Sequence, residues 1–199
     1  MELCDRIDEA RQRWNVLEHP FYVRWEGGEL TANELAFYAG EYRHAVVALA
    51  RAAKAAGDPE HAAEEAEHVA LWDDFATAAD APLDREPNVE TRACAEAWGR
   101  TDRFEALGVL YAVESAQPAI AETKLRGLVE RYGYEPEGPA TGYFRLHATK
   151  DFEHAEAAAE ALADAPDERH DAIVEAATRA LRENWRLLDG VDRCGAAAP

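Results

Sequence analysis

Three residues in the last third of the chain, His147, Asp151 and His154, have the types and the spacing of metal ligands. Positions i, i+4 and i+7 of an α-helix lie on one face over two turns, so the three side chains would point the same way. Two imidazoles and one carboxylate suit iron, manganese or zinc. The same pattern could be a solvated helix face in an acidic protein, so a metal site requires further ligands elsewhere in the chain.

A second candidate ligand is Glu114, a carboxylate within an otherwise apolar helical stripe. Leu107, Leu110 and Leu125 belong to the same stripe. A lone ionised carboxylate in such a position is costly unless it is paired or bound to a cation. A buried salt bridge, for example to Arg126, is the alternative to a bound metal.

A third candidate is His68, which follows a run of glutamates. Glu64 lies four residues before it and shares its helix face. The glutamates could instead be a solvated charge run, and His68 could be a core histidine with a hydrogen-bond partner. With Glu114 and the 147–154 trio, the Glu64–His68 pair completes six ligands. That inventory is typical of helical proteins that bind two iron or manganese ions through carboxylates.

The overall charge narrows the function. The 199 residues include 40 acidic and 21 basic side chains, for a formal net charge of −19. This excess argues against nucleic-acid partners and against an anionic membrane surface. Only three of the basic residues are lysines, at positions 54, 124 and 150. An acidic, lysine-poor and alanine-rich chain is typical of halophilic proteins, which carboxylate hydration keeps soluble in high salt.

The cysteines and the apolar segments indicate a cytoplasmic protein. Cys4, Cys94 and Cys194 are odd in number and widely separated, so they predict no disulfide framework. The N-terminal segment is charged from Glu2 and lacks the apolar core of a signal peptide. The longest apolar run, residues 45–50, is too short to span a bilayer.

Hydrophobic periodicity predicts an all-α fold, a single compact bundle of seven to eight helices. The predicted helices span about residues 2–16, 20–26, 32–56, 59–79, 88–98, 102–132, 140–163 and 167–188. Pro118 should kink the long sixth helix, because it cannot donate to the carbonyl of Glu114. Residues 1–190 form one predicted domain, and residues 191–199 are expected to be a frayed tail.

Several segments together resemble the haem-oxygenase-like dimetal oxidases of the TENA/PqqC-like superfamily. Within that group the chain is most similar to the para-aminobenzoate synthases of the chlamydial death-domain-associating type. The resemblance runs from about residue 17 to about residue 163. It rests on Leu17–Trp25, Gly28–Thr31, His68 with Leu71-Trp72, Tyr111 with Glu114-Ser115, Lys124–Leu128, and Tyr143-Phe144 leading to His147, Asp151 and His154.

This resemblance implies a ligand set for two metal ions. His68, Glu114, His147, Asp151 and His154 match five of the family's six ligands. The sixth is a glutamate seven residues before the first histidine, a position occupied here by His61. The chain therefore departs from the family pattern. Glu64 is preferred as the sixth ligand on helical geometry, then Glu65, then His61 itself.

The resemblance also implies a function. Tyr22 matches the tyrosine whose side chain supplies the benzoate ring, and Lys124 matches the proposed amino donor. Packing in an aromatic cluster is the alternative role for Tyr22, and charge neutralisation near Glu114 or Glu122 the alternative for Lys124. The implied protein is a homodimeric oxygenase of folate biosynthesis. It would use an Fe/Fe or Fe/Mn pair, dioxygen and an external reductant that the sequence does not identify.

Other roles remain open at this stage. Tyr38, Tyr42 and Tyr111 could line the site as radical relays or hydrogen-bond donors, although packing is the commoner role of tyrosines in bundles. A related dimetal oxidase could act on an external amine, amino acid or fatty acid. Thiamin-pyrimidine hydrolysis needs an activated cysteine, and Cys94 is predicted on a short peripheral helix. A non-catalytic binding or interaction module would hold no metal.

Overall fold

The computed structural model describes residues 2–195, and this part of the chain contains nine α-helices, three short 3₁₀ turns and no β-strand. The prediction of an all-α fold is confirmed. The helices are α1 (Leu3–Arg13), α2 (Pro20–Gly27), α3 (Ala32–Ala56), α4 (Pro59–Ala78), α5 (Val89–Trp98), α6 (Arg103–Glu114), α7 (Gln117–Glu130), α8 (Gly142–Leu162) and α9 (His170–Gly195).

Local sequence signals set both ends of α3 and the start of α4. Thr31 and Glu34 form a reciprocal capping box at the start of α3. Gly57 ends α3 in the left-handed conformation at φ 93°, which a residue without Cβ adopts at little cost. Asp58 then caps α4, with Pro59 in its first turn. These residues fix where α4 begins, and hence which of its side chains face inward.

One predicted helix is in fact two. The sequence predicted a single kinked helix over residues 102–132, whereas α6 ends at Glu114 and α7 begins at Gln117. Pro118 lies in the first turn of α7 and has no N–H to continue the ladder of α6. Its effect is therefore a full break rather than a kink, and this raises the count from eight helices to nine.

The C-terminal helix is longer than predicted. The ordered domain was expected to end near residue 190, but α9 continues to Gly195. Val191 is fully buried and Gly195 packs against Glu34 of α3, so this turn is held by the core. Residues 196–199 of the expected tail lie outside the described residues.

Two sets of helix contacts organise the core. α3 runs through the core against α4, α5 and α6, while α8 packs on both α6 and α7. On the other side α2 approaches α7 closely at Gly127, where a Cβ would lie 2.6 Å from the Trp25 ring. This contact brings Tyr22 of α2 towards Lys124 of α7. Across residues 2–195, no helix combines the length and the apolarity that a membrane span requires.

The acidic composition predicts that salt stabilises this fold. Self-repulsion in a chain of net charge −19 destabilises the compact state, and salt screens it. We expect the Tm to rise between about 0.1 M and about 2 M KCl, by about 2–4 °C for each 1 kcal/mol gained. Calorimetry across that range measures the effect. A flat or falling Tm would contradict the interpretation of the composition as halophilic.

Candidate metal centre

The inner face of α4 carries His61, Glu65, His68 and Trp72, at i, i+4, i+7 and i+11. Trp72 is fully buried, and its indole N–H donates to the carbonyl of Ala39 at 2.8 Å. That anchor turns the same face of the helix inward along its length. Glu65 and His68 are consequently buried, with 2% and 4% of their surface exposed.

Two further helices complete the cluster. Glu114, at the last turn of α6, is 2% exposed. His147 and Asp151 of α8 are equally buried, and His154 follows one turn later. Glu114 is the last residue of α6, directly before the break between α6 and α7. Three separate helices thus deliver nitrogen and oxygen donors to one interior region.

The contacts show that these side chains form one cluster. His61 Nε2 lies 3.1 Å from Glu114 Oε1, and the His61 ring lies 4.3 Å from the His154 ring. The His68 and His147 rings are 4.6 Å apart. His154 Nδ1 lies 3.9 Å from Asp151 Oδ1. One potential ligand atom from each of His61, Glu65, Glu114 and His154 lies within 4.8 Å of the others.

Several ligand atoms in the cluster are buried without a hydrogen-bond partner. They are His61 Nε2, both carboxylate oxygens of Glu114, His147 Nε2 and His154 Nδ1. The 3.1 Å approach of His61 to Glu114 is therefore not a hydrogen bond, although both atoms can donate a lone pair. A separation of about 3 Å suits two ligands that each lie about 2.1 Å from one ion. The donors fit a transition-metal site.

Other hydrogen bonds in the cluster orient the ligands. His147 Nδ1 lies 2.7 Å from Asp151 Oδ1, which leaves its Nε2 free to bind a cation. His68 Nδ1 lies 2.7 Å from Glu65 Oε1. Partners of this kind fix the tautomer and orientation of metal-binding imidazoles.

Burial and mutual repulsion shift the ionisation of this cluster. Burial raises the pKa of Glu114 well above its usual value, and the charges of Glu65 and Asp151 raise it further. Burial, followed by the Glu65 charge, raises the pKa of Asp151 to about 7. Burial and the neighbouring His68 lower the pKa of His147 to about 3. Without a cation, burial therefore favours protonated carboxyl groups and a neutral His147. A bound cation would favour ionised carboxylates beside neutral imidazoles, which is the state in which these groups bind metal.

The structure places Glu65, rather than Glu64, inside the cluster. The Glu64 side chain is 31% exposed, and its carboxylate lies at the rim, 2.8 Å from His154 Nε2 and 3.4 Å from Lys150 Nζ. The spacing of four residues from His68 had favoured Glu64 over Glu65, but Glu65 also lies within one turn of His68, and it is Glu65 that is buried in the cluster. The anchoring of α4 by Trp72 decides the rotation. His61, the residue that departs from the family pattern, also faces the cluster.

Beyond this cluster, Lys124 and Tyr22 pack together in a buried region surrounded by aromatic rings. This region is called the chamber. Lys124 is 1% exposed, and its Nζ lies 4.6 Å from the centre of the Tyr22 ring. Nζ donates to the Tyr38 hydroxyl at 2.6 Å, and that hydroxyl lies 2.9 Å from the Tyr22 hydroxyl. The Tyr42 ring is 4.7 Å from Nζ. The structure thus brings Tyr38 and Tyr42 close to Tyr22 and Lys124; their role as radical relays stays a prediction.

The chamber favours a neutral amine. Burial lowers the pKa of Lys124 well below its usual 10.5. Burial likewise raises the pKa of the Tyr22 phenol, despite its hydrogen bond with Tyr38. An uncharged lysine nitrogen keeps its lone pair available for chemistry. It is held against an uncharged phenol.

Three aromatic rings connect the chamber to the metal cluster. The Tyr143 ring lies 4.1 Å from the His147 ring, and the Trp72 ring lies 4.9 Å from Tyr143. Tyr42, which lines the chamber, lies 5.2 Å from Trp72. Trp72 and Tyr143 were not among the predicted site residues. Their positions, four residues after His68 and four before His147, could have identified them as neighbours of the ligands.

Two other expectations were wrong. Tyr111 does not reach the site, because its hydroxyl donates to Asp8 of α1 at 3.0 Å. Cys94 is not peripheral, because the inner face of α5 packs on α3 and buries it fully. Burial raises the pKa of the Cys94 thiol well above its usual value, and this disfavours a nucleophilic thiolate.

A pH-dependent gain in stability should follow when Lys124 is replaced. Between the lowered pKa of folded Lys124 and pH 10.5, the unfolded chain binds a proton that the folded chain lacks. The stability of the wild type therefore rises with pH over that interval. Lys124→Met removes this cost and adds a side chain suited to the aromatic chamber. We expect the variant to be more stable at about pH 7, with the advantage shrinking towards about pH 10. Each unit of pKa depression is worth about 1.4 kcal/mol.

Urea unfolding at the two pH values measures this difference. Lys54→Met is the matched control, because Lys54 is an exposed lysine of α3. A Lys124→Met variant that is less stable than wild type at both pH values would contradict the assignment of a neutral buried amine.

Comparison with known proteins identifies the class. The model of the iron-containing redox enzyme family matches residues 16–185. The chain belongs to that family.

The relatives and the solved structures agree with this. A 4-aminobenzoate synthase of Chlamydia muridarum is 28% identical, over 95% of this chain and 89% of its own. A protein of the same name from Nitrosomonas europaea is 29% identical, over 94% of this chain and 89% of its own length.

The solved structures show the fold. A Shewanella denitrificans domain of unknown function with a heme oxygenase-like fold aligns at TM-score 0.77 and 20% identity, covering 97% of this chain and 93% of its own. A TenA homologue from Pseudomonas syringae aligns at TM-score 0.77 and 17% identity, covering 96% and 91%. The fold is haem-oxygenase-like.

Proposed function

We propose that this protein is a 4-aminobenzoate synthase that consumes its own Tyr22, with Lys124 as the amino donor. The observation that carries the proposal is the Lys124–Tyr22 chamber, in which a buried amine lies 4.6 Å from the ring centre of a buried phenol. The matching names of relatives aligned over more than nine-tenths of the chain support it.

The proposed cofactor is a pair of metal ions, Fe/Fe or Fe/Mn. His61, Glu65, Glu114 and His154 would hold one ion, because their ligand atoms converge. His68, His147 and Asp151 would hold the other. When bound, the ions would activate dioxygen as the oxidant. Acid–base groups alone cannot break an unactivated carbon–carbon bond.

The protein's own groups account for the remaining requirements. Benzoate carries one carbon on its ring, so the bond of Tyr22 that must break is Cα–Cβ. The neutral amine of Lys124 can attack the ring carbon that carries the hydroxyl once the ring is oxidised, and that oxygen then leaves as water. Release of 4-aminobenzoate further requires cleavage of the Lys124 Nζ–Cε bond and oxidation of Cβ to the carboxylate, with dioxygen as the oxidant and the external reductant as the source of electrons. Tyr38 holds both groups in register through its hydroxyl. The rings of Tyr143, Trp72 and Tyr42 offer a path for single electrons between Tyr22 and the ligands.

Formation of 4-aminobenzoate tests the proposal. Purified protein expressed with iron and manganese, then exposed to dioxygen and a small-molecule reductant, should release 4-aminobenzoate, detected by chromatography with mass spectrometry. Product that carries label from ring-labelled tyrosine supplied only during expression would show that it comes from the protein. Product absent under all metal loadings would refute the proposal.

A second candidate function keeps the metals and changes the substrate. An oxidase acting on an external amine, amino acid or fatty acid would leave Tyr22 intact after turnover. The observation that favours this alternative is a cleft beside His61 that is large enough for a small molecule. A binding module without catalysis would be indicated only if iron-supplemented expression gave protein without transition metal.

A further inference from the structure

A cleft of about 430 Å³ opens beside the metal cluster, between the start of α4, α6 and α8. This volume falls in the range of about 300–1,000 Å³ that is usual for small-molecule sites. Leu107 and Leu110 form one wall, and Ala158 and Ala161 face them from α8. Because α8 presents alanines here, the two helices leave the space between them open.

The floor of the cleft reaches the metal cluster. His61 lines the cleft, and its Nε2 is the atom that lies 3.1 Å from Glu114 Oε1 without a hydrogen bond. A molecule in the cleft would therefore contact the imidazole of a proposed metal ligand. The cleft is an approach to the site rather than a remote surface depression.

The cleft also holds a cation that the fold does not use in an ion pair. Arg103 is an exposed side chain at the cleft; its Nε donates to the carbonyl of Ala56 at 3.2 Å, and its guanidinium lies 5.2 Å from the centre of the Phe104 ring. No carboxylate within residues 2–195 pairs with it, although the chain is strongly acidic. A guanidinium presents parallel N–H donors that match a carboxylate.

The backbone amides at the start of α4 do not serve as the anchor. Asp58 Oδ1 accepts from the amides of Glu60 and His61 at 2.9 and 3.2 Å. Asp58 is itself a carboxylate lining the cleft, so recognition of an anion falls to Arg103. The leucine and alanine walls favour an apolar body.

We propose that this cleft binds a small aromatic carboxylate of about the size of benzoate. The carboxylate would lie on Arg103, and the ring would lie between α6 and α8, towards His61. The inference rests on the proposed function in one respect: 4-aminobenzoate is such a molecule, so the cleft would retain the product before release. Binding itself requires no turnover.

Calorimetric titration of benzoate into the Tyr22→Phe protein, loaded with iron and manganese, tests this proposal. That background removes the residue that the proposed reaction consumes, so binding is measured apart from product formation. We expect saturable binding of one benzoate per chain and much weaker binding of acetate, which lacks the ring. Arg103→Met should weaken benzoate binding at least about tenfold, because a charge-assisted pair is lost.

Two further measurements locate the bound anion. Ala158→Trp should fill the cleft and abolish binding. In the protein that keeps Ala158, the alanine methyl NMR signals of residues 157, 158 and 161 should shift when benzoate is added. Arg51→Met is the matched control and should bind as before, because Arg51 is an exposed arginine of α3 that does not line the cleft. Absence of saturable binding, or full affinity in Arg103→Met, would overturn the proposal. Neither result would bear on whether Tyr22 is consumed.

Discussion

Tyr22→Phe should reduce 4-aminobenzoate formation to the detection limit, and Lys124→Arg should do the same. Phenylalanine keeps the shape of the ring but lacks the hydroxyl that the amine must replace. Arginine keeps a basic side chain but stays protonated in the chamber, so it offers no free amine lone pair. Rescue of a 4-aminobenzoate auxotroph measures both effects in cells, and chromatography of the purified variants measures them in vitro.

Matched substitutions separate chemistry from folding. Tyr134→Phe removes the same hydroxyl from a partly buried tyrosine outside the chamber, and Lys54→Arg makes the same exchange on the exposed face of α3. Both controls should support growth like wild type. Growth on Tyr22→Phe at the wild-type rate would exclude self-consumption and leave an external substrate.

Glu65→Gln should lose bound metal, whereas Glu64→Gln should retain most of it. Glu65 is 2% exposed and lies within the converging ligand atoms. The Glu64 side chain is 31% exposed and forms ion pairs with His154 and Lys150. Loss of an outer partner costs about 10–100-fold in metal affinity, and loss of a ligand should exceed that. Elemental analysis after dialysis against a graded series of chelator concentrations measures the two affinities.

The paired design makes the outcome decisive, because the two variants differ by one position on one helix. Circular dichroism checks that both remain folded. Equal metal content in both variants would contradict the set assigned from the structure. A larger loss in Glu64→Gln would also restore the ligand preferred from sequence.

Sequence patterns were sufficient where a helix face was set by several residues at once. The spacing of His147, Asp151 and His154 predicted one face, and the structure places all three in one cluster. Glu114 stood out as a carboxylate in an apolar stripe, and it is buried as that stripe implied. Their role as ligands stays a prediction.

Patterns were insufficient where tertiary packing sets a rotation or a break. Helical spacing favoured Glu64 as the partner of His68, whereas the Trp72 anchor turns Glu65 inward. Tyr111 follows the periodicity of α6, yet a hydrogen bond to α1 holds it away from the site. Pro118 was a visible signal, but sequence alone did not show whether the helix would bend or end.

If Tyr22 is the source of the product, intact-protein and peptide mass spectrometry should show its loss directly. After iron- and manganese-loaded protein reacts with dioxygen and reductant, the peptide with Tyr22 should have lost the phenol side chain, and the peptide with Lys124 should be altered. The extent of both changes should match the 4-aminobenzoate released. Product formed while Tyr22 remains intact in every molecule would contradict the account.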